Sequence, residues 1–171
     1  MNDRYLYRAK RKNWRELPRE KWWVTGYLVN KKCGEYNTVG FEEFKTMIIV
    51  TSFSDGGIEW CYIDEDTLCQ CTGLKDKNGK LIWENDILMC HGNKKDLCKV
   101  CFGEFKVIDI EDMVAVDIVQ GWYYKPLETD TLSKCEPFCY EMPLTNYYLE
   151  RMEAEVVGNI FDNPELLEVG E

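Results

Sequence analysis

The chain has 171 residues, 45% of them apolar and 13% aromatic, and a formal net charge of −10. That length suits one domain, residues 1–171, burying roughly two-thirds of its unfolded surface, and the composition excludes a disordered chain. No run approaches the ~18 apolar residues of a membrane span, the start is too charged for a secretion signal, and the acidic balance disfavours general nucleic-acid binding. A cytoplasmic location is expected.

The predicted elements run as follows. Trp22–Val29, rich in aromatic and β-branched residues, predicts a strand, and Lys31-Lys32-Cys33-Gly34 a turn. Gly40-Phe41-Glu42-Glu43-Phe44 fits a loop. Met47–Thr51 and Ile58–Ile63 predict a hairpin around Ser54-Asp55-Gly56-Gly57, and Asp64–Leu68 one helical turn. In the block 70–90, Asn78-Gly79 suits the centre of a type I′ turn, where both residues need φ > 0. Gly73-Leu74 before it and Leu81-Ile82-Trp83 after it supply the arms of a hairpin. Glu84-Asn85-Asp86 then predicts a turn or bulge with Asn85 at the bend.

Leu97–Phe102 and Phe105–Ile110, split by Gly103-Glu104, predict a third hairpin. Met113–Val119 and Trp122–Tyr124, around Gln120-Gly121, predict a fourth. In the last element, 145–171, Thr145 caps a short helix reaching Met152, and Val156–Phe161 returns to strand. Asn163-Pro164 then starts a closing helix that docks through Leu166 and Leu167. The sum is a mainly β fold, a barrel-like or sandwich core of short antiparallel strands with a few short helices.

Charge is spread unevenly. Residues 1–23 hold eight Lys or Arg against three Asp or Glu, and residues 150–171 hold one Arg against seven acids. Two readings stand. The ends are solvated, or the basic segment 1–21 of one copy steers onto the acidic end of another in a head-to-tail or ring assembly.

The chemistry-bearing residues form no site that the spacing supports. Asp76-Lys77-Asn78-Gly79 has the look of a calcium loop, but with Gly79 at the sixth position the first and twelfth fall on Leu74 and Asn85, which carry no carboxylate. Nine cysteines are an odd number, and without a secretion signal they read as reduced, apolar thiols. Cys98-x2-Cys101 has half a zinc spacing, with His91 upstream and Cys69, Cys71, Cys135 and Cys139 as further thiols. A strand would point Cys98 and Cys101 to opposite faces, so buried thiols are preferred over a zinc site or a redox pair.

His91, the sole histidine, sits in an expected loop with no nucleophile motif nearby. Glu84 and Asp86 are the best-placed carboxylate pair, although Asp86 and Asn85 are better explained as holding the bend. Trp22, Trp23, Trp60, Trp83 and Trp122 fall in predicted strands, where core filling or subunit contact is their usual use, in preference to base stacking. No catalytic residue, metal ligand or cofactor is assigned.

Three segments resemble the YopX family of bacteriophage and prophage proteins. Residues 70–88, Gln-Cys-Thr-Gly-Leu-Lys-Asp-Lys-Asn-Gly-Lys-Leu-Ile-Trp-Glu-Asn-Asp-Ile-Leu, are similar to the family hallmark Q-Y-T-G-L-K-D-K-N-G-K-x-I-[FY]-E-G-D-I-V. Trp83 stands where Phe or Tyr is common, and Asn85 replaces Gly. Tyr7-Arg8-Ala9-Lys10-Arg11 with Trp23-Val24-Thr25-Gly26-Tyr27-Leu28 resembles the family's opening, and Glu155–Leu167 its closing E-V-I-G-N-I-[YF]-[ED]-N-P-E-L-L. Residues 98–145 match weakly. The resemblance implies a mainly β fold with few helices, self-association into a larger assembly, and no established activity.

The resulting expectation is a non-enzymatic, phage- or prophage-derived accessory protein in the cytoplasm of a bacterial host. It would work as a homo-oligomer and through contact with a host or phage protein, with no membrane partner. The alternative is a nucleic-acid-associated regulator using the basic segment. A hydrolase built on acidic residues stands third.

Overall fold

The computed structural model describes residues 5–37, 40–52, 57–109, 111–129 and 132–167. The fold is mainly β, with antiparallel pairing in both sheets, and it divides into two compact units, Met1–Cys71 and Thr72–Glu171.

In the first unit β1 (Tyr7–Lys10), β2 (Trp23–Asn37), β3 (Gly40–Ser52) and β4 (Ile58–Tyr62) lie in the order β4-β3-β2-β1. The first residues of β5 (Cys69–Lys75) pair with the free side of β1, Tyr7 opposite Gln70 and Arg8 opposite Cys69. The sheet curls back on itself. Arg11 bridges Ile63, Lys12 N–H donates to the Tyr62 carbonyl at 2.9 Å, and Asp64 N–H donates to the Lys10 carbonyl at 2.9 Å. These bonds join the end of β1 to the end of β4 and give a half-barrel around Ala9, Val24, Ile49, Cys61 and Ile63. Gly26 is required where β2 runs up to Val50 of β3, since a Cβ there would lie 2.2 Å from the Val50 carbonyl oxygen.

Two expectations fail in this unit. Lys31-Lys32-Cys33-Gly34 is no turn, and Gly40–Phe44 no loop: both run inside the β2–β3 ladder, with Cys33 opposite Phe44 and Asn37 opposite Gly40. Local turn chemistry there is outweighed by an eleven-pair ladder, and the residues joining the strands, 38–39, lie outside the described residues. The β3–β4 hairpin stands as predicted, although its turn residues 53–56 also lie outside them. The helical turn expected over Asp64–Leu68 is a 3₁₀ turn at Glu65–Thr67.

In the second unit β5 leads to β6 (Leu81–Trp83), β7 (Asp86–Cys90), β8 (Asn93–Asp109), β9 (Val114–Pro126), β10 (Met142–Pro143), α1 (Asn146–Arg151) and β11 (Glu155–Asn159). Its sheet has the order β10-β9-β8-β7-β11. Ile82, Leu88, Cys90, Cys98, Val100, Leu144, Leu149, Met152, Ala154 and Val156 form the core.

The third and fourth hairpins predicted here do not form. β8 continues through Gly103-Glu104, β9 continues through Gln120-Gly121, and the two make one long hairpin in which Gly103 faces Gly121. Its true turn lies between Asp109 and Val114, where Met113 takes φ 55°. Thr145 caps α1 as expected, its hydroxyl accepting from Tyr148 N–H at 3.3 Å. The closing turn Pro164–Leu167 is 3₁₀; Leu166 is half-buried, whereas Leu167 is 41% exposed and does not dock.

Candidate functional site

The block 70–90 is a structural joint. Gly79 has φ 80° but Asn78 keeps a negative φ, so the expected type I′ turn is replaced by a three-residue loop closed by Gly79 N–H to Asp76 carbonyl and Asp76 N–H to Lys80 carbonyl, both 2.9 Å. The physical reason is Asp76. One carboxylate oxygen accepts from Asn78 N–H and Lys80 N–H at 2.9 Å each, and the other accepts from Val156 N–H at 3.0 Å.

Lys77 adds an ion pair to Glu155 at 2.8 Å and an N–H bond to the Ala154 carbonyl at 2.9 Å. Glu155 first, through its hydrogen bond, holds the Lys77 ammonium above its ordinary pKa. Asn85 takes φ 64° at the bend, as its sequence position requires, and its carbonyl accepts from Ile160 N–H. Asp86 is buried and accepts from Trp83 N–H at 2.9 Å. Asp86 thus holds the bend, in the way its place beside Asn85 suggests.

The closing motif completes the joint. The Asn159 side-chain oxygen accepts from Phe161 N–H and Asp162 N–H at 3.0 Å each. A Cβ on Gly158 would sit 2.5 Å from the Asn163 side-chain oxygen, so only glycine fits.

The basic segment is built into the half-barrel. Lys10 is 1% exposed, with its ammonium 4.1, 4.7 and 5.6 Å from the ring centres of Trp14, Trp22 and Trp23. Burial of this charge is offset by three indole faces, a cation–π cage. Trp14 Nε1 donates to Asp64 at 2.9 Å and Trp22 Nε1 to the Leu17 carbonyl at 2.8 Å, which orients two walls. Arg15 lies over Trp14, Arg8 over Trp23 and Arg19 over Trp22. Arg11 pairs with Glu59 at 3.2 Å. Over residues 7–12 the chain is therefore neither a solvated end nor a loose arm. Trp22, expected in a strand, follows the 3₁₀ turn Arg19–Lys21.

On the outside of the half-barrel, alternation along β4 sends Cys61 inward and Ile58, Trp60 and Tyr62 outward, 61%, 54% and 47% exposed. Tyr27, 44% exposed, shares their face through the row Tyr27–Val50–Trp60. Trp60 thus serves a surface, whereas Trp83 is buried and Trp122 packs on the second unit's core.

The second unit holds a cavity of about 490 Å³. Tyr124, Tyr140, Tyr147, Tyr148, Phe138 and Met142 wall it, Cys90, Cys98 and Met152 lie at its sulfur-rich side, and Asp96 and Arg151 supply charge beside His91. His91-Gly92, at φ 54° and 65°, forms the two-residue turn between β7 and β8. His91 Nδ1 meets Asp96 at 2.7 Å, and both are exposed. The hydrogen bond shared with Cys90, and then burial, push the Cys98 thiol well above its ordinary pKa. Burial likewise raises Tyr124, while a hydrogen bond to Glu136 raises Tyr140 to about 12.

Cys98 and Cys101 do point to opposite sides of β8, one buried and the other half-buried. Cys98 instead meets Cys90. Cys69 and Cys71 are buried in the first unit, and Cys135 and Cys139 lie on a turn, Cys135 exposed. Among the described residues no three His, Cys, Asp or Glu side chains are grouped for a metal ion. Sequence reasoning missed the Lys10 cage and the aromatic cavity. The cage had a signal in the three tryptophans and three lysines crowded into 10–23; the cavity had none, because its lining is gathered from scattered positions between Cys90 and Met152.

The family model described as YopX protein matches residues 13–168. Among solved structures the chain is similar to protein EF1440 from Enterococcus faecalis, at 20% identity over 96% of this chain and 97% of that one, with a TM-score of 0.38. No curated protein matches.

Proposed function

We propose, from the premise that the chain belongs to the YopX family, that it is a phage- or prophage-derived accessory protein acting through protein–protein contact, first with its own kind. It works without catalysis, in the cytoplasm of a bacterial host. The observation carrying this reading is the row Ile58, Trp60, Tyr62 and Tyr27, large apolar side chains displayed together on one face of the half-barrel. Exposed patches of this kind mark interaction surfaces, and tryptophan and tyrosine are the residues that most often dominate them. A closed homo-oligomer needs only one self-complementary patch.

Two of the basic segment's eight cations are held within the protein, Lys10 in its cage and Arg11 on Glu59. No helix among the described residues is long and apolar enough to cross a membrane.

Light scattering on the wild type and on Trp60→Glu at tens of micromolar is the test. The wild type is expected to be oligomeric, and Trp60→Glu smaller with an unchanged circular dichroism spectrum. A monomeric wild type would overturn self-association, and an unchanged Trp60→Glu oligomer would move the contact elsewhere.

A further inference from the structure

Three sulfur atoms from three different elements converge at one side of the second unit's cavity. Cys90 Sγ on β7 lies 3.7 Å from Cys98 Sγ on β8 and 3.5 Å from Sδ of Met152, which directly follows α1. All three residues are buried, and all three line the cavity, so the cluster has an entry path that a closed core lacks. Its geometry is held by backbone. His91 N–H donates to the Met152 carbonyl at 2.7 Å, fixing the end of α1 against the β7–β8 turn that begins one residue after Cys90.

The geometry points to a binding site for a single soft monovalent metal ion, Cu(I), at Cys90, Cys98 and Met152. Thiolate and thioether donors select Cu(I) by softness. A metal–sulfur bond of about 2.3 Å, the length known for zinc thiolates, across the 3.7 Å Cys90–Cys98 gap subtends an angle of about 107°. That leaves room for the Met152 thioether as a third donor. A structural Zn²⁺ would need a fourth nitrogen or sulfur ligand. The one histidine of the chain is exposed, and its Nδ1 already faces Asp96.

Loading is a proton exchange without redox change. Each thiol gives its proton to solvent, two thiolate–copper bonds form, and the ion stays Cu(I). The loaded site carries one net negative charge, and Arg151 stands on the same cavity wall.

Cu(I), supplied under anaerobic conditions and competed with a chromogenic bidentate chelator, tests the site on the full chain. One equivalent should resist the chelator and raise the melting temperature, because the ion binds only the folded form. Cys90→Ser and Cys98→Ser should abolish that equivalent. Met152→Leu keeps the volume and the fold. It should weaken retention by roughly tenfold, the scale of losing one supporting group, and X-ray absorption should lose one of three sulfur neighbours. Cys135→Ser with Cys139→Ser should change nothing. Retention in the Cys90→Ser, Cys98→Ser double variant, an unchanged Met152→Leu, or loss in the Cys135, Cys139 variant would each overturn the assignment.

Discussion

The joint formed by residues 73–87 with 154–163 and the cavity reached from residues 90–152 belong to one compact unit, yet they use polar side chains in opposite ways. In the joint carboxylates hold the backbone: Asp76 accepts from three backbone N–H groups, Asp86 accepts from Trp83 N–H, and Glu155 ties down Lys77. Around the cavity, tyrosines, Arg151 and the His91–Asp96 pair stand at or near solvent. Two of the three segments that carry the family resemblance fall in the joint, whereas the weakly matching stretch 98–145 supplies much of the cavity wall. A signature can therefore be strong because it builds a fold, and say nothing about what the fold holds.

The largest expected effect that would break this contrast is at Asp76. Asp76→Ala strands three backbone donors, two of them in the tight loop; with charge-assisted bonds at about 1.5–3 kcal/mol each and imperfect additivity, a loss of about 3–5 kcal/mol is expected in urea unfolding. A loss under ~1 kcal/mol would remove the joint from the account. Gly79→Val comes next, at about 1–2 kcal/mol, since a β-branched residue is forced to φ 80° with no compensating contact.

On the cavity side His91→Ala should cost under about 1 kcal/mol, the exposed pair with Asp96 being worth little. Tyr147→Ala, at an exposed position, should lie within about 0.5 kcal/mol of wild type by thermal melting. A cavity variant as damaging as Asp76→Ala would erase the distinction.

The smallest effect sharpens it through pH. Tyr140 is raised to about 12 by its bond to Glu136, so its proton is held more tightly when folded. Its contribution to stability is whole below pH ~10, the unfolded value, and is lost as pH rises through about 12. A phenolate absorbance titration should show a late step near pH 12 that disappears in Tyr140→Phe. An unchanged late step would assign it to Tyr124.

What was legible from the sequence was local and positional. Asn85 at φ 64°, Thr145 as a cap and the start of the closing turn at Asn163-Pro164 each follow from what one residue type does to its own backbone. What was not legible depended on partners distant in the chain. Gly103 and Gly121 each look like turn residues, and only their placement opposite one another shows both to be strand interior. Asn78-Gly79 has the residues of a type I′ turn, but the Asp76 carboxylate draws Asn78 N–H and Lys80 N–H inward and selects another loop. The crowding of Trp14, Trp22 and Trp23 hinted at a cage, but nothing local told which of Lys10, Lys12 and Lys21 it would hold.

The opposed glycines have a mechanical consequence. The β8–β9 hairpin runs through twelve paired rungs, and the rung Gly103–Gly121 alone has no side chain on either strand. Cross-strand side-chain contact is what stiffens a two-stranded ribbon against bending and shear. Under load the ribbon therefore behaves as a notched beam, compliant at that rung and rigid on either side, with the stacked Phe105 and Tyr123 reinforcing its flank.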